Sequence, residues 1–151
     1  MRNNILLVAI LGLASFAVTA KSEDKVDFEK QIWPIFKKSC VKCHQPEHKD
    51  ERGRSRRPKA HLVMTNKAGI IKGGEDNDDN PALTPGDPKK SAYLQATLLG
   101  LDEDEHMPPE DKAPQLTDEQ KKLLEKWIAE GADFGKWERD PEVDHQAEKK
   151  E

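Results

Sequence analysis

Cysteine is scarce in this chain. Two occur in 151 residues, Cys40 and Cys43, which excludes a small scaffold held together by several disulfides. A bridge between these two would close so short a loop that it would add little stability. A surplus of basic residues is also missing. Lys and Arg number 25 against 29 Asp and Glu, a net charge of −4, so nothing suggests a nucleic-acid binder. Apolar residues make up 34% and aromatics 5%. That is lean beside the roughly 45–50%, glycine included, of ordinary globular domains. There is no internal repeat and no alternating strand series. The longest apolar run, Ile5 to Val18, falls short of the ~18–20 residues of a membrane span.

That run has another reading. Met1-Arg2-Asn3-Asn4 is a weakly positive start, and Val18-Thr19-Ala20 places small residues at −3 and −1 before Lys21. This is the pattern of a secretory leader cleaved after Ala20, favoured over an uncleaved anchor. Lys21 in place of a cysteine excludes lipid attachment at the new N-terminus. The expected organisation is a leader at 1–20, one domain at 21–135, and a charged, disordered tail at 136–151. The expected compartment is extracytoplasmic, a periplasm or its equivalent, with no membrane span after cleavage.

The two cysteines belong to Cys40-Val41-Lys42-Cys43-His44, the C-x-x-C-H spacing of covalent c-type haem attachment. Two thiols three residues apart can each add to a vinyl group along one porphyrin edge, and the following histidine then becomes the proximal iron ligand. A buried macrocycle would also give a lean core a large apolar surface to pack against. Zinc is disfavoured because no second ligand pair is regularly spaced, and a redox dithiol because no βαβ pattern surrounds the motif.

Around the motif the chain reads as mainly α. Asp27 to Ser39 is predicted helical, capped by Asp27 and divided by Pro34. Residues 45–59, basic from Lys49 onward, read as a surface loop. Thr65 is expected to cap a short helix at 66–72 that stops at Gly73-Gly74, with an acidic turn segment at 75–81. Asp87 and Pro88 suit the start of a helix whose apolar face is Tyr93, Leu94 and Leu98. Four acids, Asp102 to Glu105, should be exposed. Thr117 to Gln120 is a capping box opening the clearest helix, with Leu123, Leu124, Trp127 and Ile128 as its stripe and Gly131 as its stop.

A haem held by one histidine has an open face, and a methionine thioether there makes an electron-transfer centre. The candidates are Met107, Met64, His48, His61, His106 and His145. Met107 is favoured on local grounds, since Pro108 and Pro109 stiffen the loop that carries it. Without haem it would be a core methionine filling a gap. Met64 sits among apolar neighbours and suits the core, whereas His106 keeps bis-histidine ligation open. His48 follows His44 too closely to reach the opposite face.

The ordered set of these pieces resembles the planctomycete-type cytochrome c domain, within the mono-haem c-type cytochromes. The matching residues are Phe28 with Pro34-Ile35-Phe36, Cys40 to His44, Lys72-Gly73-Gly74, Pro85-Gly86-Asp87-Pro88 with Ser91, Met107-Pro108-Pro109, and Leu116-Thr117 through Trp127-Ile128 to Gly131-Ala132. The segment from Arg54 to Met64 departs from the family pattern. The resemblance implies a small cytochrome c-like helical domain packed around one covalently bound haem. It implies Cys40 and Cys43 as thioether anchors, with His44 and Met107 as the two iron ligands.

The expected function is that of an exported electron carrier serving redox partner proteins, as a monomer or in transient complexes, with no catalytic residue assigned. Lys37, Lys38 and Lys42 near the motif would steer an acidic partner if they are free. The alternative is a haem enzyme or a gas or redox sensor with an open or labile sixth iron position.

Overall fold

The computed structural model describes residues 25–74 and 81–144. The leader, the acidic residues 75–80 and His145 lie outside the described residues. Four α-helices and one small two-stranded sheet occur among those described.

The first helical segment is shaped by its proline. Asp27 caps it, accepting from the Lys30 amide at 3.0 Å. Phe28–Ile32 is one π-turn and α1 follows at Trp33–Ser39. Pro34 has no N–H to continue the ladder, so it sits in the first turn of α1, where none is needed. The division expected at Pro34 is therefore a change of helical pitch just before it, with the Trp33 amide bonded back to the Phe28 carbonyl.

Residues 45–59 are more ordered than a plain loop. His48–Lys49 (β1) pairs antiparallel with Ser55–Arg56 (β2). Asp50 organises the turn between them: one carboxylate oxygen accepts from the Arg52 and Arg54 amides, and the other meets the Arg54 and Arg56 guanidiniums at 2.9 Å. These contacts hold the Asp50 carboxyl at about 2, the Arg54 amide leading.

Helix α2 is Lys67–Lys72, and its cap is Asn66 rather than Thr65. Asn66 has extended backbone and its Oδ1 accepts from the Gly69 amide at 2.7 Å. Thr65 is wholly buried, with its hydroxyl unpartnered. Gly73 closes the helix at φ 73°, a conformation open to glycine at little cost.

Asp87 and Pro88 start a single 3₁₀ turn, Pro88–Lys90, and Ser91 then leads into α3, Ala92–Leu98. The buried face of α3 is Leu94 and Thr97, whereas Leu98 is 54% exposed. Tyr93 and Leu94 of the expected stripe therefore pack on the core, and Leu98 does not. The acids Asp102 to Glu105 are exposed, as expected.

Helix α4, Asp118–Ala129, carries both bonds of its capping box. Leu124, Trp127 and Ile128 are buried, and Leu123 is half-buried. Gly131 follows at φ 101°.

The few aromatics are concentrated where they do most. Every aromatic among the described residues belongs to one connected set of ring contacts. Phe28 lies 5.2 Å from Trp127, 4.6 Å from Phe134 and 4.8 Å from Trp137. Trp33 joins through Trp137, while Phe36 reaches Trp127 and Tyr93. Such pairs add ~0.5–1.5 kcal/mol each beyond area burial. This is how a lean sequence joins its N-terminal helix to α4.

Residues 136–144, expected to fray, turn back onto the domain. The Asp140 amide donates to the Thr65 carbonyl and the Lys67 amide to Glu138, forming an antiparallel bridge at Asn66 and Arg139. Asp140 is 6% exposed and accepts from the Trp33 indole at 3.1 Å and from Lys37 at 2.8 Å. No helix of the described residues is long and apolar enough to cross a membrane.

Candidate haem-attachment site

The helical path of α1 continues into the motif. The Cys40 and Val41 amides bond to the Phe36 carbonyl at 2.8 and 3.0 Å. The Cys43 and His44 amides then bond to the Cys40 carbonyl, each at 3.1 Å. Cys40, Cys43 and His44 are therefore gathered on one tight turn. Val41 between the thiols is buried at 4% exposure and anchors the turn in the core, while Lys42 points outward, within 3.5 Å of the Lys112 carbonyl.

Both cysteines are free thiols. Burial, and secondarily the neighbouring Cys43, pushes the Cys40 thiol up to about 12.

The His44 ring is held by the chain that returns from the hairpin. Its Nδ1 lies 3.1 Å from the Lys59 carbonyl oxygen. A carbonyl only accepts, so Nδ1 donates in this contact, and the neutral ring then carries its lone pair on Nε2. This is the arrangement in which a metal-binding histidine is oriented by its second nitrogen. Burial lowers the imidazole pKa, and the Lys59 and Leu62 carbonyls oppose that in part. The neutral ring is the ligand form. Two backbone bonds fix the returning chain, from the Lys59 amide to the Cys43 carbonyl at 3.0 Å and from the Met64 amide to the His44 carbonyl at 2.7 Å. The turn between them places two non-glycine residues, Ala60 and His61, at φ 51°. Both lie in the left-handed region that side chains avoid.

Met107 comes from a different part of the chain. Its amide donates to the Ala96 carbonyl at 2.9 Å, which ties the strap to α3, and its side chain is 36% exposed. Met64, by contrast, is 2% exposed and belongs to the core. His106 is also buried, and both its nitrogens are engaged: Nδ1 with the Leu99 carbonyl at 2.9 Å and Nε2 with Gln115 Oε1 at 2.7 Å. In this arrangement His106 braces the strap and has no nitrogen left for iron. Nothing in the spacing of residues announces that role, because its partners lie seven and nine residues away. The His48 ring folds locally onto the Pro46 carbonyl, and His61 is exposed on the strained turn.

The residues present suit a covalently attached haem. The donor set combines two thiols in one turn with an imidazole whose Nε2 is unprotonated. Among the described residues, the large apolar side chains left exposed are Ile71, Leu98, Leu101 and Met107. Three of these four, Leu98, Leu101 and Met107, lie between the end of α3 and the strap and are apolar surface of the kind a flat macrocycle covers, with the exposed acids Asp102 to Glu105 between the last two.

These features suit the haem attachment expected from the Cys40–His44 spacing. Residues 40–111 match the family model described as Planctomycete cytochrome C. The matched stretch opens on Cys40 and closes shortly after Met107, which bears out the resemblance read from the sequence and points to a haem protein. No curated protein and no solved structure matches the chain.

Proposed function

We propose that this chain is an exported electron carrier holding one covalent haem c, with thioether bonds from Cys40 and Cys43 and iron ligands from His44 and Met107. The observation that carries the reading is the His44 turn, where two free thiols accompany an imidazole fixed with Nε2 available. When bound, the haem supplies a one-electron ferric–ferrous couple. The protein's part is to keep both ligands in place through that change. The Lys59 carbonyl orients His44, the Ala96 carbonyl holds the Met107 backbone, and the adjacent prolines limit the strap's freedom. Rigid ligation of this kind suits electron transfer rather than substrate binding at the iron.

Partners are redox proteins met in transient complexes. Of the lysines beside the motif, Lys37 is committed to Asp140 and Glu142 at 2.8 and 2.7 Å. Lys38 and Lys42 remain exposed beside the attachment turn, and they are the cations that would face an acidic partner. Export rests on the leader at residues 1–20.

The test is production with the haem-attachment machinery, followed by denaturation and solvent extraction. Haem that stays with the polypeptide supports the reading, and haem that extracts overturns it. Ferrous protein that binds carbon monoxide readily, with no sulfur-to-iron charge-transfer band in the ferric form, assigns the open-iron alternative instead.

A further inference from the structure

We infer that Gln115 is a positioning residue for Met107, joined through Ser39 to the haem-attachment turn. The inference rests on the His44–Met107 reading above and extends it to a residue that touches neither iron nor haem. The Gln115 side chain uses both ends of its amide. Its Oε1 lies 2.7 Å from His106 Nε2, and its Nε2 donates to the Pro108 carbonyl at 2.7 Å. It therefore grips the residue on each side of Met107. One residue earlier, the Pro114 carbonyl accepts from the Ser39 hydroxyl at 2.8 Å. Ser39 immediately precedes Cys40 and is itself 5% exposed.

The path from the attachment turn to the strap thus runs Ser39, Pro114, Gln115, then His106 and Pro108 flanking Met107. Leu116, 6% exposed, anchors the far end of that path in the core. The Ala96 contact fixes the Met107 backbone on the α3 side. Without Gln115 the strap would keep that contact but lose the link that sets its distance from the Cys40–His44 turn. The sulfur would then leave the iron more often, because a thioether is a weak ligand that depends on placement.

The test uses haem-loaded full-length protein and two readouts, the ferric sulfur-to-iron charge-transfer band and the apparent affinity of the ferrous form for carbon monoxide. Gln115→Leu removes both bonds. We expect it to weaken the band and tighten apparent carbon monoxide binding about tenfold or more, since that affinity scales with the fraction of open iron. Gln115→Glu keeps an oxygen facing His106 but loses the donor to Pro108, and should fall between wild type and Gln115→Leu. Thr117→Ala, which breaks the α4 capping box two residues away, is the stability control and should leave both readouts unchanged. A wild-type band that persists undiminished in Gln115→Leu overturns the inference. So does equal loss of the band in Thr117→Ala, which would make the effect one of general stability. If Gln115→Leu does not fold, Ser39→Ala, which cuts the Pro114 link, must show the same direction of change, and unaltered readouts there overturn the inference. Absence of the band in the wild type contradicts the ligation reading instead, so the two failures are distinguishable.

Discussion

The Nδ1 of His44 stands 3.1 Å from the backbone carbonyl oxygen of Lys59. Because the acceptor is main chain, the tautomer is set by the fold of the 59–61 turn rather than by a replaceable side chain. His44→Ala should leave haem attached through Cys40 and Cys43 but abolish the low-spin spectrum. Cys40→Ala with Cys43→Ala should do the reverse, giving haem that extracts after denaturation. Absorption before and after extraction checks both outcomes.

Asp140 closes the domain by accepting from Trp33, Lys37 and the Glu142 amide. Burial alone would raise its pKa, but the Lys37 hydrogen bond and its other donors hold it below the ordinary carboxyl value. The stabilisation is therefore present above the unfolded carboxyl pKa of ~3.9 and is lost as pH falls through the lower folded value. Asp140→Ala should cost about 1–3 kcal/mol at pH 7, leaving the indole and ammonium without their acceptor. Urea unfolding of variant and wild type should differ at pH 7 and converge in strong acid.

Thr117 accepts from the Gln120 amide while the Gln120 side chain accepts from Thr117's own amide. Thr117→Ala should lower stability by ~1 kcal/mol. The denaturation midpoint should move with no change in the haem spectrum.

Gly69 lies inside α2, where alanine is ordinarily better by about 0.8–1 kcal/mol. Here an added Cβ would overlap the Val63 carbonyl oxygen and crowd Asn66 Oδ1 at 3.2 Å. The obstacle is backbone on the strand of chain just before Met64, which bonds His44. Gly69→Ala should therefore destabilise, by roughly 1–3 kcal/mol as overpacking does, opposite in sign to the helix-propensity expectation. Thermal unfolding settles the sign.

What was legible in the sequence was local. The Cys40–His44 spacing, the box at Thr117 and the stop at Gly131 each act within a turn or two of chain. Choices between neighbours were less visible. Thr65 and Asn66 are both good caps; Asn66 takes the role, and Thr65 is buried beside the bridge that Asn66 makes with Arg139. On α3, Tyr93 and Leu94 face the core as expected, whereas Leu98 at the end of the helix is exposed and Thr97 is buried in its place. The tail at 136–151 read as disordered because its composition is charged, yet its described part, 136–144, is held by Trp33 and Lys37, more than a hundred residues away. Gln115 belongs to the same class, unremarkable in sequence and defined only by the partners the fold supplies. His106 reads in sequence as a ligand candidate, and only its contacts with Leu99 and Gln115 give it another role.

The most direct test of the central claim is the absorption spectrum of the haem-loaded ferric protein in the sulfur-to-iron charge-transfer region, recorded for wild type and Met107→Ala. A His44–Met107 centre gives a band in the wild type that disappears in the variant. A wild type without the band, or a band that survives the loss of Met107, would contradict the His44–Met107 centre.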